Sequence, residues 1–227
     1  MKAPQIAGKP LSHVLTELEG GVTCSTLIVS NEESCYLSGL FERTGLLILM
    51  FDNIRQDLRA YEGNWGAQGF WVMIVYRFGR WRYTIRPVIV RKIFSLIYKL
   101  LFKAVQIITG IELPCEVVVG RNFIIDHFGG IIVSGYAQFG ENCRIRNGVV
   151  VGLRRVDQKF APVIGDNVDI GSGAKLLGPI RIGNNTIIGA NAVVLCDVPD
   201  NSIAVGVPAV IKPRNAGNRD VPGESIC

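Results

Sequence analysis

From Val119 to Val194 this 227-residue chain repeats an aliphatic side chain every six positions. The cleanest run is Ile164, Ile170, Leu176, Ile182, Ile188 and Val194, and Gly165, Gly171, Gly183 and Gly189 each follow one of its members. An upstream run carries Val119, Ile125 and Ile131, then Phe139, Ile145 and Val151. An α-helix returns its apolar face every ~3.6 residues and a strand every two, so neither alone gives a period of six. Short straight segments joined by turns do, three to a coil, each sending one aliphatic side chain inward. Glycine or asparagine then takes the turns that need positive φ or close backbone approach. The spacing predicts a mainly β chain built as a triangular parallel β-helix.

The repeat breaks twice. The interval from Ile131 to Phe139 is eight residues and follows Asp126-His127-Phe128-Gly129-Gly130. That from Val151 to Ile164 is thirteen, and it carries Arg154, Arg155, Asp157 and Lys159 in place of turn residues. A solenoid takes insertions as loops thrown outward, often on its binding face. Both breaks are therefore expected to build a site.

The repeat also sets a boundary near Gly110. Residues 41–110 are expected to be helical and 111–213 to form the β-helix, with 1–40 and 214–227 poorly ordered. The net charge is +5, and Arg77, Arg80, Arg82, Arg86, Arg91, Lys92, Lys99 and Lys103 gather ahead of the solenoid. No nucleic-acid-binding motif accompanies them, so no nucleic-acid partner is expected. Residues 88–108 read as an amphipathic helix, with Lys92, Lys99 and Lys103 near one side and leucine, isoleucine and phenylalanine on the other. Two readings stay open: a helix packed on its neighbours in an oligomer, or one lying on an anionic membrane surface. Neither it nor the short run from Gly45 to Phe51 suits the ~20 apolar residues of a span. The six cysteines (Cys24, Cys35, Cys115, Cys143, Cys196 and Cys227) form no CxxC pair. Without a secretory signal they read as reduced thiols, Cys115 and Cys143 as core fillers. The expected compartment is the cytoplasm, with peripheral contact at the inner membrane face. Two histidines and no cysteine cluster imply no metal.

The chemistry converges on His127, since the other histidine, His13, lies in the irregular N-terminus. An imidazole can take a proton from a hydroxyl at physiological pH. It works best when a carboxylate holds its far ring nitrogen, and Glu112 and Asp126 are the candidates. Adjacent strand residues point to opposite faces, so Asp126 is the poorer partner. Glu112 lies fifteen residues earlier, close to one coil below. The plainer alternative is a solvated turn histidine.

These residues carry a resemblance. Glu112-Leu113-Pro114 together with Ile125-Asp126-His127-Phe128-Gly129-Gly130-Ile131-Ile132-Val133 resembles the active-site coil of the serine acetyltransferase family. Ile170-Gly171-Ser172-Gly173-Ala174-Lys175 and Ile188-Gly189-Ala190-Asn191-Ala192 resemble that family's acetyl-CoA coils. Asp197-Val198-Pro199 through Gly206-Val207-Pro208-Ala209 is similar to the exit signature of hexapeptide acyltransferases, and Gly69-Phe70 through Gly79-Arg80-Trp81 resembles part of the family's helical domain. The likeness covers about residues 53 to 213. It implies a left-handed parallel β-helix preceded by an α-helical region, assembled as a homotrimer or a dimer of trimers.

The resemblance also implies roles. His127 falls on the family's general base and Glu112 on its orienting aspartate. The acceptor hydroxyl would attack the thioester of acetyl-CoA directly, with backbone N–H groups holding the oxyanion. The cofactor would lie between neighbouring solenoids along Ser172, Gly173, Ala174, Gly189 and Ala190, with Lys212 or Arg214 near its phosphates and Lys175 a weaker candidate. Single glycines there are also read as plain turn requirements.

Departures from the family bear on the acceptor. Its serine-holding Arg-His-Pro segment is matched by Phe160-Ala161-Pro162, and its aspartate ahead of the Gly-Phe helix by Trp65. Losing charged partners from a buried site costs about 2–5 kcal/mol, enough to change the substrate. Trp65, Phe128 and Phe160 suit a sugar ring, and Arg154 and Arg155 an acidic sugar, nucleotide or diphosphate carrier. The first expectation is an O-acetyltransferase acting on an exopolysaccharide or capsular glycan precursor. Serine O-acetylation for cysteine synthesis is the alternative, and a non-catalytic trimeric scaffold the third reading.

Overall fold

The computed structural model describes residues 50–155, 157 and 159–214. The expectations for residues 1–40 and for the tail beyond Arg214 fall outside these, as do His13, Cys24, Cys35 and Cys227.

Short strands stack into three parallel sheets, the faces of a triangular prism. The first face holds β1 (Ile111–Glu112), β4 (Ile131–Val133), β7 (Val150–Gly152), β10 (Lys175–Leu177) and β13 (Val193–Val194). The second holds β2 (Val118–Val119), β5 (Gln138–Phe139), β8 (Val163–Ile164) and β11 (Arg181–Ile182). The third holds β3 (Ile124–Asp126), β6 (Arg144–Arg146), β9 (Asp169–Ile170), β12 (Ile187–Ile188) and β14 (Ser202–Val205), and β15 (Val210–Pro213) closes it antiparallel to β14. The hexad residues do what their spacing predicts. Ile125, Ile145, Ile170 and Ile188 form one inward column in register, all buried.

Two corners are built from residues in the left-handed region. Asn122, Asn142, Asn167, Asn185 and Asn201 share φ between +53° and +56° at one corner. Their side chains bond along the stack, as from Asn122 to Asn142 at 2.8 Å. Gly110, Gly130, Gly148, Gly173 and Asn191 form the corner between the third and first faces, also at positive φ. Asparagine tolerates that region and glycine enters it without steric cost.

The register moves the first break. Val133, not Ile131, shares the column of Val151, Leu176 and Val194. Ile145 to Val151, Ile170 to Leu176 and Ile188 to Val194 are six-residue steps, whereas Ile125 to Val133 is eight. The two extra residues therefore leave the coil at residues 126–130, around His127 itself. The misplacement has a simple cause: the first face buries a second residue two positions ahead of each hexad position, Ile131 as well as Val133, and sequence spacing alone cannot choose between them. The second break is a loop after β7, where Arg154, Arg155, Asp157, Lys159 and Phe160 are all exposed.

A helical cap closes the lower end of the solenoid. It comprises α1 (50–60), α2 (Gln68–Trp81), a 3-10 turn (Arg82–Thr84) and α3 (Val88–Thr109). Helix α3 stops at Gly110, whose φ of +66° turns the chain into β1. The cap is fastened by directional bonds as well as apolar packing. Arg77 makes a two-pronged pair with the buried Asp57 (2.8 and 3.0 Å), and the Tyr76 hydroxyl donates to the carbonyl of Val117 (2.8 Å). The Arg82 guanidinium is sandwiched between the rings of Tyr83 and Tyr98 at 4.4 and 4.5 Å.

The cap also satisfies an open edge. Strand β3 is the outermost strand of its sheet, and an unpaired edge exposes backbone donors. The Tyr61 hydroxyl accepts from the Ile125 N–H at 2.8 Å. Gly69 lets α2 come against the same strand, because a Cβ there would overlap the Ile125 carbonyl. Tyr61→Phe strands that N–H, and a buried donor without a partner costs about 1–3 kcal/mol. Urea unfolding of the variant should show a loss of that size.

The expected core fillers Cys115 and Cys143 are both fully buried. Burial pushes the Cys143 thiol from 9.0 up to about 11, and its S–H donates to the Gly165 carbonyl at 3.1 Å. A folded pKa above the unfolded one stabilises fully below pH 9 and loses that contribution as pH rises toward 11. Between pH 8 and pH 11, urea stability of the wild type should fall about 2 kcal/mol further than that of Cys143→Ala.

Candidate active site

His127 sits immediately after β3, at φ +63°, in the corner that carries the two extra residues. A non-glycine residue in this conformation is uncommon and marks a constrained turn. The side chain is exposed and lines a cleft of about 260 Å³ between coil one and the cap. The other walls are Tyr61, Asn64, Ala67, Gln68, Gly69, Ile125 and Asp126.

The two carboxylates expected beside the imidazole are both engaged. Asp126 pairs with Arg144 on the next coil at 3.2 Å, as the alternation of strand side chains requires. Glu112, half-buried on β1, accepts from the Gln106 amide at 3.0 Å, and Gln106 in turn accepts from Lys103. Among the described residues, its hydrogen bond is therefore to α3 and not to His127. The backbone still stacks the two segments. Gly110, two residues before Glu112, lies under Gly129, so a Cβ on Gly110 would come 3.2 Å from the Gly129 Cα.

The same corner of the prism holds the residues expected to meet the cofactor. Backbone bonds climb it from Gly148 N–H to Gly129 (2.9 Å), from Gly173 N–H to Asn147 (2.8 Å) and from Asn191 N–H to Ser172 (2.8 Å). His127, Ser172-Gly173 and Gly189-Ala190 therefore share one edge, on coils about 4.8 Å apart. Ser172 is half-buried and Ala190 exposed. Ala174 departs from its expected role: its methyl is wholly buried in the core, so only its backbone remains to meet a ligand. Gly189 serves stacking, since a Cβ there would press on Val205 at 2.7 Å. Lys175 folds back along this edge and donates to the carbonyls of Gly148 and Gly173, bracing it. Lys212 is exposed on β15, while Arg214 donates to the Asn185 carbonyl (3.3 Å).

The residues expected to hold the acceptor are dispersed. Phe128 is exposed beside His127. Trp65 is exposed too, packed edge-on to Phe70 at 5.5 Å, and its neighbours Asn64 and Ala67 line the cleft while it does not. Arg154, Arg155 and Phe160 belong to a different corner two coils higher. There Arg154 lies over Gly178 and Arg155 pairs with Asp157 at 3.2 Å. Sequence reading missed Tyr61, Asn64 and Gln68. Their one signal was Gly69, a glycine inside a helix, which marks close approach of another backbone.

Comparison with known proteins agrees with this architecture. The family described as Bacterial transferase hexapeptide (six repeats) matches residues 161–196. A serine acetyltransferase of Mycobacterium tuberculosis is 42% identical over 107 residues, 47% of each chain, so this chain spans about half of that relative. A serine acetyltransferase of Bacillus subtilis is 30% identical over 172 residues, covering 74% of this chain and 79% of the relative. A solved serine acetyltransferase in complex with CoA superposes with a TM-score of 0.63 at 25% identity, over 75% of this chain and 73% of that one. With a relative 30% identical and covered over 79% of its length, the chain belongs to the serine acetyltransferase family.

Proposed function

We propose that the chain moves an acetyl group from acetyl-CoA to an alcohol, with L-serine as the first acceptor and His127 as general base. The observation that carries this is the shared edge, with His127 at its lower end in a cleft and the Ser172 and Ala190 corners above it. A thioester arm laid along that edge brings its carbonyl to the imidazole. His127 takes the hydroxyl proton as the oxygen attacks, the C–O bond forms, the C–S bond breaks, and the proton passes to the departing thiolate. Glu112, two residues from the glycine stacked beneath this corner, is the orienting carboxylate once His127 and Gln106 share it. A second copy of the chain supplies the opposite wall of the cofactor groove.

Two observations favour serine. The relatives carry that acceptor in their names, which reverses the order expected from sequence. The cleft is also small, and Asn64, Gln68 and Asp126 set polar groups on its walls. A glycan hydroxyl is the second reading. It draws on Phe160 and Trp65, which stand where the family has charged serine contacts and are 65% and 64% exposed.

Thiol release from acetyl-CoA should show His127→Ala reduced about 10²–10⁴-fold in turnover with folding intact. Full turnover by that variant excludes the reading. Running L-serine beside glucoside and uronic acid acceptors separates the two alcohols; saturable release with sugars alone selects the glycan reading.

A further inference from the structure

Helix α3 is apolar on two faces, and the fold uses one. Toward the solenoid and α2 it buries Tyr98, whose ring stacks on Phe102 at 5.7 Å, and sets Phe94 edge-on to Trp81 at 5.4 Å. On the opposite side Ile89, Ile93, Leu96, Leu100 and Ile107 follow helical spacing and are 56–77% exposed. A helix that is hydrophobic all round is ordinarily covered, and a contiguous apolar stripe of this kind marks an interaction surface.

Charge selects what covers it. Lys92, Lys99 and Lys103 recur at seven and four residues, which lines them along one border of the stripe, and all three are exposed. Between Gly63 and Ile111 there are eight arginines and lysines and no aspartate or glutamate. A second copy docking this face on itself would set lysine against lysine with no carboxylate from the helix between them. We propose that the outer face of α3 lies on an anionic lipid bilayer, with the aliphatic stripe in the acyl boundary and the lysines at the phosphates.

The geometry fits a helix in the plane of the surface. The helix is about 33 Å long, and no helix among the described residues is long and apolar enough to cross a membrane. Lysine stems can lie along apolar neighbours while the ammonium groups reach outward. The stripe and its cations thus meet the two layers that an interfacial helix contacts at once.

Cosedimentation of the full chain with vesicles tests this without reference to acetyl transfer. Phosphatidylcholine with one-third phosphatidylglycerol should bind the protein at about 0.1 M salt, phosphatidylcholine alone should bind it far less, and about 0.5 M salt should release it. K92Q/K99Q/K103Q should weaken partitioning about 100-fold, from roughly fivefold per lysine near such a surface. L96E/L100E, on an exposed face, should keep its circular dichroism and lose binding. A wild-type chain that ignores the anionic vesicles overturns the proposal. Loss of a larger assembly in L96E/L100E by sedimentation velocity would then assign the stripe to a second copy. Vesicle binding that survives both variants overturns it equally.

Discussion

Everything in this fold depends on the in-register pairing of each coil with the one below and above. Three parallel ladders fix every strand residue as inward or outward, and a one-residue slip would reverse them all. Extra residues cannot be absorbed within a strand. They must leave at a corner, where the backbone is already off the ladder. The two-residue excess around His127 does this, and it lifts an imidazole clear of the wall while its flanking residues stay hydrogen-bonded. The side chain is thereby held by rigid neighbours without itself being packed.

Pairing of this kind leaves an open edge at each end, and the two ends are closed differently. At the top the chain folds back, with β15 antiparallel to β14. At the bottom the helical cap covers coil one, and its fastening includes buried polar contacts beside the apolar ones. The Arg77–Asp57 pair, the Arg82 sandwich and the Tyr61 bond to Ile125 are all buried or nearly so. Buried ion pairs add little net stability, because desolvation offsets their attraction. Their consequence here is positional: Asn64, Gln68 and Gly69 are set at one distance from His127. The lower end is thus both a seal and half of the cleft, so the cap's stability and the site's geometry rest on the same contacts.

Much of this was legible in the chain alone, for a physical reason. Hexad periodicity is local, so the solenoid, its inward columns and the outward loop after β7 follow from spacing. His127 stood out because it interrupts that spacing. What spacing cannot show is pairing. The break was assigned to the wrong interval because Ile131 and Val133 are both inward, and only register separates them. Ala174 follows a corner glycine like a groove residue yet faces the core, since the first face buries an extra residue ahead of each hexad position. Contacts across long separations were invisible as well. Tyr61 meets Ile125 over 64 residues, and the amide that takes Glu112 comes from α3, where nothing in the helix pattern singles out Gln106.

The division of labour between solenoid and cap explains why family membership constrains the reaction more than the acceptor. The residues matched by the hexapeptide family, 161–196, hold the Ser172 and Ala190 corners, the upper part of the edge that begins at His127. Stacking leaves little room for variation there: a side chain at Gly171 or Gly189 would strike the next coil. The cleft at His127 is walled instead by residues 61–69 and by the His127 corner, and the loop carrying Phe160 projects from another corner altogether. Loop and cap side chains answer to no register, so they can change without disturbing a single rung. An aromatic residue in the cap or the loop is therefore compatible with an unaltered solenoid, and the substrate question reduces to what the cap and loop place within reach of one imidazole.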